Sequence, residues 1–144
     1  MNTAQAIGSG LAGAVVLTAL HEGIKQIAPE SPRMDQIGTQ IVKKAKGSKI
    51  DDESAYNQAL AGELVANSLL YSLVGYGEKN SWMRGLLIGA GSGLAAVLLP
   101  KVLPVSDGAS NRTSETTAMT IGLYTLAGLA AAGMSTLFRN AQKV

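Results

Sequence analysis

TTAMTIGLYTLAGLAAAGMSTLF, residues Thr116 to Phe138, holds no charged side chain from end to end. About 20 mostly apolar residues are enough for a helix to cross roughly 30 Å of hydrocarbon, so this run has the length of a membrane span. Met1 to Leu20 is also free of charge, Gly85 to Pro100 likewise, and Ser54 to Gly77 carries the single acid Glu63. The Gly85 run reaches span length if Arg84 and Lys101 snorkel, and the Ser54 run does so if Glu63 is buried against a partner. Lys, Arg, Asp and Glu amount to 15% of the 144 residues, against about 25% in soluble domains, and they cluster in the gaps between these runs.

The pattern predicts an all-α fold: an integral membrane bundle of four transmembrane helices at about 3–27, 52–76, 82–99 and 114–138, forming one domain over residues 1–144. The first run lacks the Lys or Arg of a signal-peptide n-region and is read as a retained helix. Seventeen glycines beside one Phe and one Trp agree with helices that associate through small residues rather than through a large aromatic core.

The links between runs carry their own signals. Ser31-Pro32 reads as the N-cap and first residue of a helix over about 32–46, ended by Gly47-Ser48. Met34, Ile37 and Ile41 recur at helical spacing beside Arg33, Lys43, Lys44 and Lys46, which describes a short amphipathic helix suited to an anionic membrane surface, or a solvated connector. Asp51 to Ser54 places acids and a cap at the next helix start. Gly77 to Asn80 reads as a tight turn, Pro100 and Pro104 as the close of the third span, Asp107 to Ser110 as a polar loop, and Thr113 or Ser114 as the last cap.

Four crossings put the first and third loops on one side. That side carries Lys25, Arg33, Lys43, Lys44, Lys46, Lys49, Lys101 and Arg112, whereas Lys79, Arg84, Arg139 and Lys143 lie on the other. The excess predicts a multi-pass protein of the cell membrane with both termini outside the cytoplasm, and Tyr76, Trp82 and Phe138 in the outer aromatic belt. The expected partners are the bilayer and anionic lipid on its cytoplasmic face, with no nucleic acid, since a net charge of +2 is too small to hold one.

Gly85, Gly89 and Gly93 line one face of the third span, with Gly128 and Ala132 at the same spacing on the fourth and Gly8 and Ala12 on the first. Such faces let backbones approach within a subunit or between subunits, so a homo-oligomer is expected. Gly89 to Gly93 follows no strand and lacks the Gly-Lys-Ser/Thr of a phosphate-binding loop.

Glu63, Asn67 and Tyr71, spaced by four, form a polar stripe on the second span. An ionised acid in mid-membrane costs about 2.5–3.5 kcal/mol, so Glu63 is expected to face the bundle interior, pair with something or carry a proton. His21 and Glu22 fall at a similar depth near the end of the first span, with Thr18 on the same side. The expected site is therefore an intramembrane polar cluster of Thr18, His21, Glu22, Glu63, Asn67 and Tyr71, with Lys25, Lys101 and Arg112 as candidates for holding a lipid headgroup.

Three uses of such a cluster compete. It can glue helices together, as in a structural subunit of a larger complex. It can line the passage of protons, ions or a small solute. Or it can serve a membrane-embedded enzyme or binding protein for a lipophilic molecule. With one His and no Cys the donor set is incomplete for zinc, and no metal or cofactor is expected. The layout resembles the small membrane enzymes of eicosanoid and glutathione metabolism in architecture only, because their second helix carries arginines and this one has none.

Overall fold

A computed structural model of the chain describes residues 2–47, 49–76, 80–103, 105 and 108–142. They form five helices and no strand: α1 (Thr3–Lys25), α2 (Met34–Lys46), α3 (Asp52–Gly75), α4 (Ser81–Val102) and α5 (Ser114–Ala141). Three of them, α1, α4 and α5, are long and apolar enough to cross a membrane. α3 has the length, but Gln58, Glu63, Asn67 and Tyr71 break its apolar run.

The helix starts follow their caps. Asn2 and Gln5 close a reciprocal capping box on α1, Asp51 accepts the Ser54 amide on α3, and Thr113 accepts the Thr116 amide on α5, each satisfying an otherwise orphaned N–H. The Ser54 bond also holds the Asp51 carboxyl below the usual range.

Two boundaries differ from the sequence expectation. α2 begins at Met34, with Arg33 as a cap that offers no side-chain bond, instead of at Ser31-Pro32. The preceding stretch is drawn away by tertiary contacts: the Arg33 amide donates to the Ala109 carbonyl at 2.6 Å and Pro32 is fully buried. α4 runs through Pro100 to Val102 instead of closing there. A proline has no N–H for the carbonyl four residues earlier, and here that carbonyl, Ala96 O, accepts the Ser110 hydroxyl at 2.8 Å. The readings placed on Ser48, on Gly77 to Lys79, on Pro104, on Asp107 and on Lys143 lie outside the described residues.

The largest interfaces join α4 to α5 and α1 to α3, and α1 against α5 links the two pairs, while α3 and α4 touch much less. Glycine sets the first of these. A Cβ added at Gly85 would collide with the Gly128 carbonyl, and one at Gly128 with that of Gly85. At Gly89 it would meet Tyr124 O at 2.7 Å, and at Gly93 the Ile121 Cα at 2.7 Å. The glycine face of α4 is thus filled by α5 of the same chain. On α1 the closest approaches fall at Gly10, where an added Cβ would collide with the Ser68 carbonyl, and at Gly13, where it would meet Ala127 O at 2.8 Å, while Gly8 sits under the Phe138 ring.

Candidate functional site

Where α1 ends, α2 folds back across the start of α3, burying Ile37 and bringing Gly38 against Ala59. This places the last turn of α1 between two helices that bear charge. His21 is 6% exposed, edge-on to the Tyr124 ring with centroids 5.7 Å apart, and its Nδ1 stands 3.7 Å from Glu63 Oε1. His21 Nε2 and Glu63 Oε1 are both buried and make no hydrogen bond among the described residues. Buried polar atoms of native proteins are nearly always partnered, by protein or by ordered water, so these two are where the site still has hydrogen bonds to make.

One turn nearer the helix end lies a closed set of ion pairs. Lys25 donates to Glu22 at 2.7 Å and stands 3.5 Å from Asp35, which also takes Arg33 Nε and Nη2 at 3.2 Å. The Tyr56 hydroxyl donates to Glu22 at 3.3 Å, and the Lys25 ammonium sits 5.9 Å from the Tyr56 ring centre, within range of a cation–π attraction. Burial works against the Asp35 charge, but Arg33 and Lys25 outweigh it and hold this carboxyl below its ordinary value, while Asp35 raises Arg33. Two acids and two bases thus neutralise one another.

Between these layers is a cavity of about 10 Å³, walled by Thr18, His21, Glu22, Lys25, Pro32, Asp35, Tyr56 and Glu63 among others. Beside it runs a groove of about 430 Å³ between Met34, Ile37, Gly38, Ile41 and Val42 of α2 and Gln58, Ala59, Gly62, Glu63, Ala66 and Asn67 of α3, floored by Leu99 and Tyr124. Met34, Ala59 and Glu63 belong to both walls.

Thr18, His21, Glu22 and Glu63 all line the cavity. Asn67 stands a turn further on, in the groove. Tyr71 lies deeper, fully buried, donating to the Tyr124 carbonyl at 2.9 Å, so it ties α3 to α5 away from the cavity. Lys25 is in the ion-pair set, apart from Lys101 and Arg112. Those two line an open hollow of about 580 Å³ with Asn111 and Thr117, where Arg112 also holds the Pro29 carbonyl at 2.8 Å and Glu30 at 3.1 Å. Sequence reasoning missed Arg33, Asp35 and Tyr56 as site residues, and Tyr124 as its floor. An acid in the first turn of an amphipathic helix was the available signal. No group of three or more His, Cys, Asp or Glu among the described residues is placed to hold a metal.

No protein-family model, no curated protein and no solved structure matches the chain.

Proposed function

We propose that this is a four-span membrane protein, α3 supplying the fourth crossing, that binds a lipophilic molecule in the groove between α2 and α3. The groove itself carries the reading. Its volume of about 430 Å³ falls within the 300–1,000 Å³ of small-molecule sites, and an apolar lining with a few placed polar groups is their usual character.

α3 suits a crossing because its two faces differ. Val65, Leu69 and Leu73 are 61%, 60% and 51% exposed, whereas Asn67 and Tyr71 are buried. Averaged hydropathy mixes the two faces, but lipid meets only the apolar one. Ile7, Leu11 and Val15 present a similar outward stripe on α1, and apolar surface gathered in this way marks a contact with a membrane or a partner. On this reading the protein sits in the cell membrane with the Lys-rich loops and the groove on the cytoplasmic side, both termini outside, and exposed Lys44 and Lys46 against anionic lipid. The glycine faces are occupied within the chain, so a homo-oligomer would have to use other surfaces. Passage of ions through the bundle gains no support from the α4–α5 side, where backbones touch.

Gly62→Leu tests the groove. A Cβ there meets nothing within 4 Å, so the new side chain enters the groove without straining the backbone. Native mass spectrometry should find a retained lipophilic molecule on the parent protein and none on the variant, with thermal stability kept. A parent protein that emerges bare, or a variant that holds the molecule equally well, would reject the reading.

A further inference from the structure

We infer that the hollow between the end of α4 and the start of α5 seats the phosphate of an anionic phospholipid, whose acyl chains lie along α4. The assignment rests on the membrane reading above and is independent of what fills the groove. Three observations carry it.

The first is a surplus of positive charge. Lys101, Asn111, Arg112 and Thr117 line the hollow of about 580 Å³, and no acid among the described residues joins them. Arg112 spends Nε and Nη2 on Glu30 and on the Pro29 carbonyl, which leaves Nη1 without a bond to a described residue. Lys101 makes no ion pair with a described residue. One acid therefore answers two cations, and a phosphodiester brings the missing negative charge with oxygens enough to meet both donors.

The second is preorganisation. Asn111 donates to the Val97 carbonyl at 3.0 Å and accepts the Gly108 amide at 3.1 Å, while the fully buried Ser110 holds the Ala96 carbonyl. These bonds fix the turn that carries Arg112 against the end of α4, which carries Lys101. Less ordering is then left to be done when a ligand arrives.

The third is the apolar ground beside the hollow. Leu94, Leu98 and Val102, spaced by four on α4, are 51%, 44% and 76% exposed, and Lys101 neighbours Leu98 on the helix surface. A cation at the end of an outward apolar stripe matches an amphiphile with an anionic head. On the topology proposed above this end of α4 faces the cytoplasm, where the leaflet is anionic. A soluble phosphate ester has nothing to lay on the stripe, and the ammonium of a phosphatidylcholine head would meet two cations.

The test adds equal amounts of phosphatidylglycerol and phosphatidylcholine with identical chains to the detergent-solubilised full chain, and reads occupancy by native mass spectrometry. Phosphatidylglycerol should exceed phosphatidylcholine by about tenfold, the effect of one hydrogen bond to a charged group. Lys101→Gln should abolish the preference and Lys101→Arg should keep it, whereas Lys46→Gln, which removes the same charge from an exposed position on α2, should leave it unchanged. Equal occupancy by the two lipids, or equal losses in Lys101→Gln and Lys46→Gln, overturns the inference and leaves the groove reading standing. Glycerophosphoglycerol, the same head without chains, should not be retained; retention equal to the lipid's would make the hollow a site for soluble phosphate esters and sink the lipid assignment. The added lipids are known by their masses, so the groove's occupant is read separately. Phosphatidylglycerol should remain on Gly62→Leu, and its loss there would make it the groove's ligand and overturn this placement. A chain recovered in solution without detergent would remove the membrane reading and this inference together.

Discussion

The α4–α5 seam and the α1–α2–α3 corner are built on opposite rules. Along the seam, Gly85, Gly89 and Gly93 bring two backbones into contact and leave no room for a Cβ. At the corner, α2 folds back on α1 and α3, and its side chains are tied to α1 by ion pairs beside a cavity and a groove. The seam is all backbone and shape, which is how membrane helices bind one another without a hydrophobic drive. The corner is side chain and charge. It holds the groups that chemistry or recognition can use.

One substitution placed at both regions gives the largest contrast. Gly85→Leu should destabilise by about 3 kcal/mol or more, because a packed backbone has to move apart, whereas Gly62→Leu should be near neutral. Reversible unfolding in detergent would measure both, and similar losses would erase the distinction drawn here. Ser110→Ala comes next. It strips the Ala96 carbonyl of the hydroxyl that replaces the N–H missing at Pro100, at about 1–3 kcal/mol for an unsatisfied buried acceptor. Adding Pro100→Ala should restore an N–H donor and recover most of that loss, so strict additivity in the double-mutant cycle would refute the compensation.

A pH dependence should separate the corner from the seam. The Asp35 carboxyl is held below its ordinary 3.8, so its contribution is present at neutral pH and disappears as pH falls through the folded-state value. Amide protection in α2, taken relative to the intrinsic exchange rate at each pH, should therefore fall below pH 3.8 while that of the α4–α5 seam is unchanged, and Asp35→Asn should flatten the α2 response. The smallest effect is expected at Lys43 and Asp52, whose ion pair is exposed on the acid's side. Lys43→Ala should cost no more than about 0.5 kcal/mol, and a larger loss would mean that this pair helps to dock α2.

The helices were largely legible because their signals are local. Runs without charge, Asp51 and Thr113 at cap positions, and glycines spaced by four each act within a turn or two, and α1, α3 and α5 follow them closely. Pro100 misled because its broken hydrogen bond is repaired by Ser110, far along the chain. Ser31-Pro32 misled because Ala109 takes the next amide. In the site, Thr18, His21, Glu22 and Glu63 could be matched by counting depth along two helices. Tyr71 shares a face with Glu63 and Asn67, yet at its level that face meets α5, where the Tyr124 carbonyl takes its hydroxyl.

The sequence by itself determined the helices and their apolar character, since hydropathy and capping depend on neighbours within a few residues. Only the tertiary structure decided that the glycine face closes within one chain, that α2 folds back to bring Asp35 to Lys25, and that a cavity and a groove open where α2 crosses α3. Those outcomes depend on which helix faces which and at what depth, and a one-dimensional pattern does not record that relation.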